Sequence, residues 1–82
     1  MKKLPLSLES LYVGVIYEVD GDKYQLIKEY KGRRYTFDLV KIGGVLDGKT
    51  FTEYEFRYPF WENPNRFSLW YPESPLSLEE ML

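Results

Sequence analysis

From Leu11 onward polar and apolar residues alternate. Leu11, Val13, Val15, Tyr17 and Val19 fall on one side of an extended segment, and Tyr12, Gly14, Ile16 and Glu18 on the other, the period-two pattern of a half-buried strand. Asp20-Gly21 then suits the positive φ angles of a two-residue hairpin turn. Pairing about that turn sets Glu18 opposite Lys23, Tyr17 opposite Tyr24 and Val15 opposite Leu26. A second strand, Lys23 to Tyr30, turns at Lys31-Gly32 into a third that begins at Arg33. Counting outward from this turn places Glu29 against Arg34, Leu26 against Phe37 and Tyr24 against Leu39. A long hairpin from Arg33 to Tyr58 has Asp47-Gly48 at its tip and pairs Asp38 with Arg57, Leu39 with Phe56 and Phe37 with Tyr58. The three turns agree on one core face: Leu11, Val13, Val15, Tyr17, Tyr24, Leu26, Tyr35, Phe37, Leu39, Tyr54 and Phe56.

Inside the long hairpin, Gly43-Gly44 marks a bend, a bulge or a place where a ligand approaches the backbone. Phe51 is expected across from Gly44, covering the bare glycine. Tyr58 to Asn65 contains Pro59 and Pro64, which lack the ladder donor, so it reads as a loop. A fifth strand follows from Arg66 to Tyr71, with Phe67, Leu69 and Tyr71 on one side and Arg66, Ser68 and Trp70 on the other. Ser74-Pro75 has the form of an N-cap followed by proline in the first helical turn, predicting a short helix over 75–82. Met1 to Ser10 suits a short arm or one helical turn. Pro-Leu-Ser-Leu-Glu occurs at both 5–9 and 75–79; it stands either for two similar helix starts that lay leucines on the core or for a duplicated docking segment.

Composition narrows the chemistry. The 82 residues suffice for a single domain, 1–82, with one modest core. Eight Tyr, five Phe and two Trp favour pleated, half-buried surfaces. The predicted fold class is therefore all-β, a five-stranded antiparallel meander over 11–71 closing into a small barrel, with an N-terminal arm over 1–10 and a terminal helix. The chain contains no Cys and no His, which removes disulfides, thiol nucleophiles, imidazole bases and the usual zinc or iron ligands. No metal and no cofactor is expected. The formal net charge of -2 gives no global attraction for phosphate or anionic lipid. No apolar run approaches a membrane span, and the expected location is cytoplasmic.

Tyr30-Lys31-Gly32, Phe37-Asp38-Leu39, Lys41-Ile42, Val45 and Gly48-Lys49 follow an order and spacing similar to those of the small seven-kilodalton chromatin proteins of crenarchaea. This resemblance, confined to residues 30–49, implies an SH3-like barrel closed by a C-terminal helix, which Leu76, Leu78, Met81 and Leu82 would suit. It does not carry DNA binding with it. Where that family presents an exposed aromatic and apolar wedges beside its Gly-Lys turn, this chain has Leu46, Asp47 and Thr50, a turn one residue shorter, and none of the family's lysine richness. Asp47 would face phosphate.

Two constellations remain. Glu53 and Glu55 are expected on the outward face of one strand, as a carboxylate pair or simply as a solvated face with cross-strand charge partners; the pairing of Asp38 with Arg57 favours the latter, and no enzyme activity is expected. The candidate binding site is the aromatic cluster Tyr58, Phe60, Trp61, Trp70 and Tyr71 with Arg66. These rings either anchor a protein interface or plug an end of the barrel. The expected function is a small non-enzymatic binding module acting through protein-protein interaction, with homo-oligomerisation open and a size that suits a viral or mobile-element factor. The alternative is a nucleic-acid-binding small barrel that stacks unpaired bases on the same rings. In that reading Lys31, Arg33 and Arg34 lie at the wrong end to extend a basic track from Arg57 and Arg66.

Overall fold

The computed structural model of the protein describes residues 2–56 and 60–71, except for the side chain of Trp61. Six strands form among these residues: β1 (Lys2–Leu4), β2 (Ile16–Val19), β3 (Asp22–Glu29), β4 (Phe37–Ile42), β5 (Thr50–Glu53) and β6 (Phe67–Tyr71), with single 3-10 turns at Leu8–Ser10 and Phe60–Glu62. They make one antiparallel sheet in the order β1-β6-β2-β3-β4-β5. The all-β class is as predicted; the strand count and the closure are not. The sheet is open, with β1 and β5 at its two ends. The sixth strand comes from the expected N-terminal arm, where Lys2, Lys3 and Leu4 pair with Tyr71, Trp70 and Leu69. The predicted helix over 75–82, like Arg57, Tyr58 and Pro59, lies outside the described residues.

The β2–β3 hairpin follows the sequence reading. Asp20 and Gly21 take φ +50° and +89°, and Glu18 faces Lys23 while Tyr17 faces Tyr24. The β3–β4 register is displaced by two, since Leu26 faces Leu39 instead of Phe37. The turn is longer than Lys31-Gly32: the Tyr30 N–H donates to the Thr36 carbonyl at 3.0 Å, and Tyr35 takes φ +50°. An even displacement keeps side chains on their faces as far as Leu26. Beyond a bulge at Leu26/Lys28 the offset becomes three, and Glu29 faces Phe37 instead of Arg34.

The β4–β5 hairpin departs further. Leu39 faces Phe51, not Phe56, because one loop takes in Gly43, Gly44 and Gly48, all at positive φ, and centres the reversal near Val45 instead of between Asp47 and Gly48. The Asp47 carboxylate instead accepts the Gly43 N–H at 2.6 Å and helps to close the loop. This displacement is odd, so inner and outer faces exchange along β5. Phe51 and Glu53 turn to the face of Leu39 and Phe37, and Tyr54, expected in the core, is 62% exposed. Phe51 does not cover Gly44. Val13 also leaves the core and is exposed. Phe56 still reaches it because β5 stops at Glu53 and Glu55 adopts φ +43°, which redirects the chain; the Phe56 N–H then bonds the Tyr35 carbonyl at 2.9 Å.

The core gathers Leu11, Val15, Leu26, Phe37, Leu39, Phe56, Phe60 and Leu69 on the inner face of the sheet. Burial of each such side chain stabilises by roughly 1.5–3 kcal/mol. Ile16, assigned by alternation to the outer side, is nonetheless buried, opposite Trp70 of β6. Lys41 is buried as well and keeps its charge satisfied: its Nζ donates to the carbonyls of Ile42 (3.1 Å) and Gly43 (3.0 Å) and lies 3.7 Å from the Asp22 carboxylate.

Candidate functional site

Because the sheet does not close among the described residues, none of them covers its inner face where β5 stands apart from β2 and β6. Two adjoining hollows occupy this opening and share Tyr17 and Glu53 in their walls. One is completed by Tyr54, Glu55, Phe56, Phe60 and Phe67, the other by Val19, Tyr24, Leu39, Phe51 and Thr52. Together they form a groove floored by core rings and rimmed by exposed Tyr54 and Phe51.

Tyr17 is the hub. Its ring stacks on Phe67 at 6.2 Å, meets Phe56 edge-on at 5.4 Å and Phe60 at 6.2 Å, and lies 6.2 Å from Tyr24. Tyr24 in turn meets Phe51 edge-on at 5.7 Å. Such arrangements set ring edges against ring faces and fix the groove wall. Burial first, and the Glu53 carboxylate second, push the Tyr17 phenol up to about 12. Glu53 is itself raised above the ordinary carboxylate range by desolvation alone, and among the described residues no basic group lowers it again. The groove therefore carries the Glu53 carboxylate at a cost in desolvation, with Glu55 also in its wall. The expected outward pairing of Glu53 with Glu55 is not formed, since Glu53 faces the inner side on β5 and Glu55 lies beyond the strand at a left-handed turn.

The described members of the predicted binding cluster, Phe60, Arg66, Trp70 and Tyr71, lie on different surfaces. Phe60 is 5% exposed and belongs to the core, the plug reading of that ring. Arg66 is held by Asp20 through two bonds of 3.1 and 2.8 Å, which keeps the Asp20 carboxyl below its ordinary range. Trp70 projects to the outer face, donates Nε1–H to Glu18 at 2.8 Å and has the Lys3 ammonium 5.8 Å from its ring. Tyr71, on the next position and the other face, sits 6.5 Å from Tyr12. Tyr58 and the Trp61 side chain lie outside the described residues. The groove residues Tyr17, Tyr24 and Tyr54 were legible only as core positions, and Phe51 only as a cover for glycine; the signal that relocates Phe51 and Tyr54 is the centring of the 43–48 loop near Val45.

Basic residues collect elsewhere. Lys31, Arg33 and Arg34 are exposed on the β3–β4 loop, with the Arg34 guanidinium 5.1 Å from the Tyr35 ring and the Lys28 ammonium 4.8 Å from that of Tyr30. Among the described residues no helix is long and apolar enough to cross a membrane. Comparison with family models, with curated proteins and with solved structures found no match.

Proposed function

We propose that this protein is a small non-enzymatic binding module that takes a protein or peptide partner in the aromatic groove beside β5. The carrying observation is that Phe51 and Tyr54, 38% and 62% exposed, stand at the mouth of a channel whose floor is the ring cluster of Tyr17, Phe60 and Phe67. A concave apolar site rimmed by rings that lose little conformational entropy on contact is the usual anchor of a protein interface. The reading also takes β2 to β6 as an SH3-like unit, a four-stranded meander whose fifth strand returns beside the first, with β1 added outside it.

Selection of random dodecapeptides displayed on phage tests this. The wild-type chain is expected to enrich an apolar or aromatic motif, and Tyr54→Ala and Phe51→Ala to weaken binding of the selected peptide by about tenfold each, the loss typical of an interface anchor. No enriched motif, or equal binding by both variants, would sink the proposal.

A second reading, nucleic-acid binding, draws on the β3–β4 loop, where cations lie over the rings of Tyr30 and Tyr35. Labelled single- and double-stranded oligonucleotides titrated at low salt separate the two. Binding that is lost steeply with added salt and abolished by Arg33→Ala and Arg34→Ala favours this reading over the groove.

A further inference from the structure

Beyond groove binding, we infer that the protein self-associates through the outer edge of β5, pairing antiparallel with β5 of a second copy about a two-fold axis at Phe51. The segment Lys49-Thr50-Phe51-Thr52-Glu53 is palindromic in chemical character: a central ring, a threonine on each side, then opposite charges. Backbone direction selects the register. The Lys41 N–H donates to the Lys49 carbonyl at 2.8 Å, so Lys49, Phe51 and Glu53 direct their backbone groups toward β4. Thr50 and Thr52 direct theirs outward, where among the described residues no strand pairs with them.

Self-pairing about Phe51 sets Thr50 against Thr52 of the second copy, and this pair exchanges backbone hydrogen bonds on both sides of the axis. Phe51 meets its counterpart on the axis in the closer, non-hydrogen-bonded position. Lys49 then faces Glu53 of the second copy, twice. Moving the axis to Thr52 sets Phe51 against Glu53, and moving it to Thr50 sets Lys49 against Phe51, so neither neighbouring register sets Lys49 against Glu53. Only the register about Phe51 supplies a cation to the Glu53 carboxylate of the groove wall. It also covers Phe51 in part.

The opposite edge behaves differently. β1 carries Lys2 and Lys3 with Pro5 directly after it, so self-pairing there brings like charges together, and proline blocks extension. These are usual protections of an exposed edge; β5 has no proline and opposes unlike charges in its own two-fold pairing. A two-fold axis normal to the sheet leaves both grooves opening to the same side. Since β5 is only four residues long, the contact falls short of the roughly 1,200–2,000 Å² of stable interfaces, and dissociation is expected on the order of 100 µM.

Sedimentation equilibrium on the full chain, from about 10 µM to about 1 mM, tests the inference. The wild type should pass from monomer to dimer. Lys49→Glu and Glu53→Lys each place like charges opposite one another and should weaken association by about tenfold or more. An equimolar mixture of the two variants should recover it, because a dimer of one variant with the other again sets opposite charges against each other at both ends of the strand pair. A wild type that stays monomeric throughout, or a mixture no more associated than its components, overturns the proposal. Should either variant fail to fold, Phe51→Cys decides. The chain has no other cysteine, and opposed Cα atoms of a non-hydrogen-bonded pair lie about 4.5 Å apart, within disulfide reach. Oxidation should link this variant at least about tenfold faster than Val45→Cys on the exposed loop tip; equal rates overturn the register.

Discussion

At the scale of the residue, Tyr17 joins the scaffold to the groove. Its ring touches β3, β6 and the segment between β5 and β6, while its hydroxyl belongs to the groove wall. The phenol titrates at about 12 in the fold, against an ordinary value of 10.0. The unfolded chain therefore releases this proton first, and between those two pH values rising pH favours unfolding. Tyr17→Phe is expected to remove this part of the alkaline loss, so that its denaturation midpoint between about pH 10 and 12 falls less steeply than that of the wild type. Urea unfolding followed across that range provides the check. Glu53 shows the limit of reading single residues from sequence: its alternation with Thr52 and Tyr54 was plain, but which side faced inward depended on a turn several residues away.

The β2–β3 hairpin was legible because its turn had no competitor and needed only two residues, whereas the lone Lys31-Gly32 turn proved longer and shifted its register. Asp20-Gly21 stands alone between two alternating runs and delivers the predicted register of β2 and β3. In the β4–β5 hairpin Gly43-Gly44 and Asp47-Gly48 both offer positive-φ positions, and the loop uses both, choosing a centre near Val45 that neither pair marks. That choice decides the face of every residue in β5, and with it the existence of the groove. Gly43 has φ +77° and open space around the position of an added Cβ, so Gly43→Ala carries only the backbone penalty of a left-handed alanine, about 1–2 kcal/mol. Asn should recover part of it, because its side chain tolerates this region. Chemical denaturation of the two variants measures the difference; an alanine variant as stable as wild type would mean that the loop reverses elsewhere. The β1 strand was hidden for another reason. Three residues hold no pattern of their own, and their partners, Leu69 to Tyr71, lie at the far end of the sequence.

At the scale of the whole molecule, the inner face was largely foreseen, since Leu11, Val15, Leu26, Phe37, Leu39 and Phe56 are all buried as alternation predicts. Closure was not, because whether a curled sheet seals depends on registers accumulated over several hairpins, and each displacement moves β5 relative to β2. The open edge and the short β1 also imply uneven stability. Hydrogen exchange should be fastest, among strand amides, in Lys2–Leu4, which pair with β6 alone, and slowest around Leu26 and Leu69, whose side chains are fully buried. Uniform protection across the six strands would contradict that order.

The place of β6 in the sheet bears on biosynthesis. It lies between β1 and β2, the two strands made first of the six, yet it is itself the last of them to be made. While the ribosome is still producing residues 20–66, β2 to β5 can meander into hairpins, but the nascent chain holds two unfilled strand edges that await the same insert. A stall before residue 67 would leave a half-sheet with the inner ring cluster uncovered, a species for chaperones to recognise.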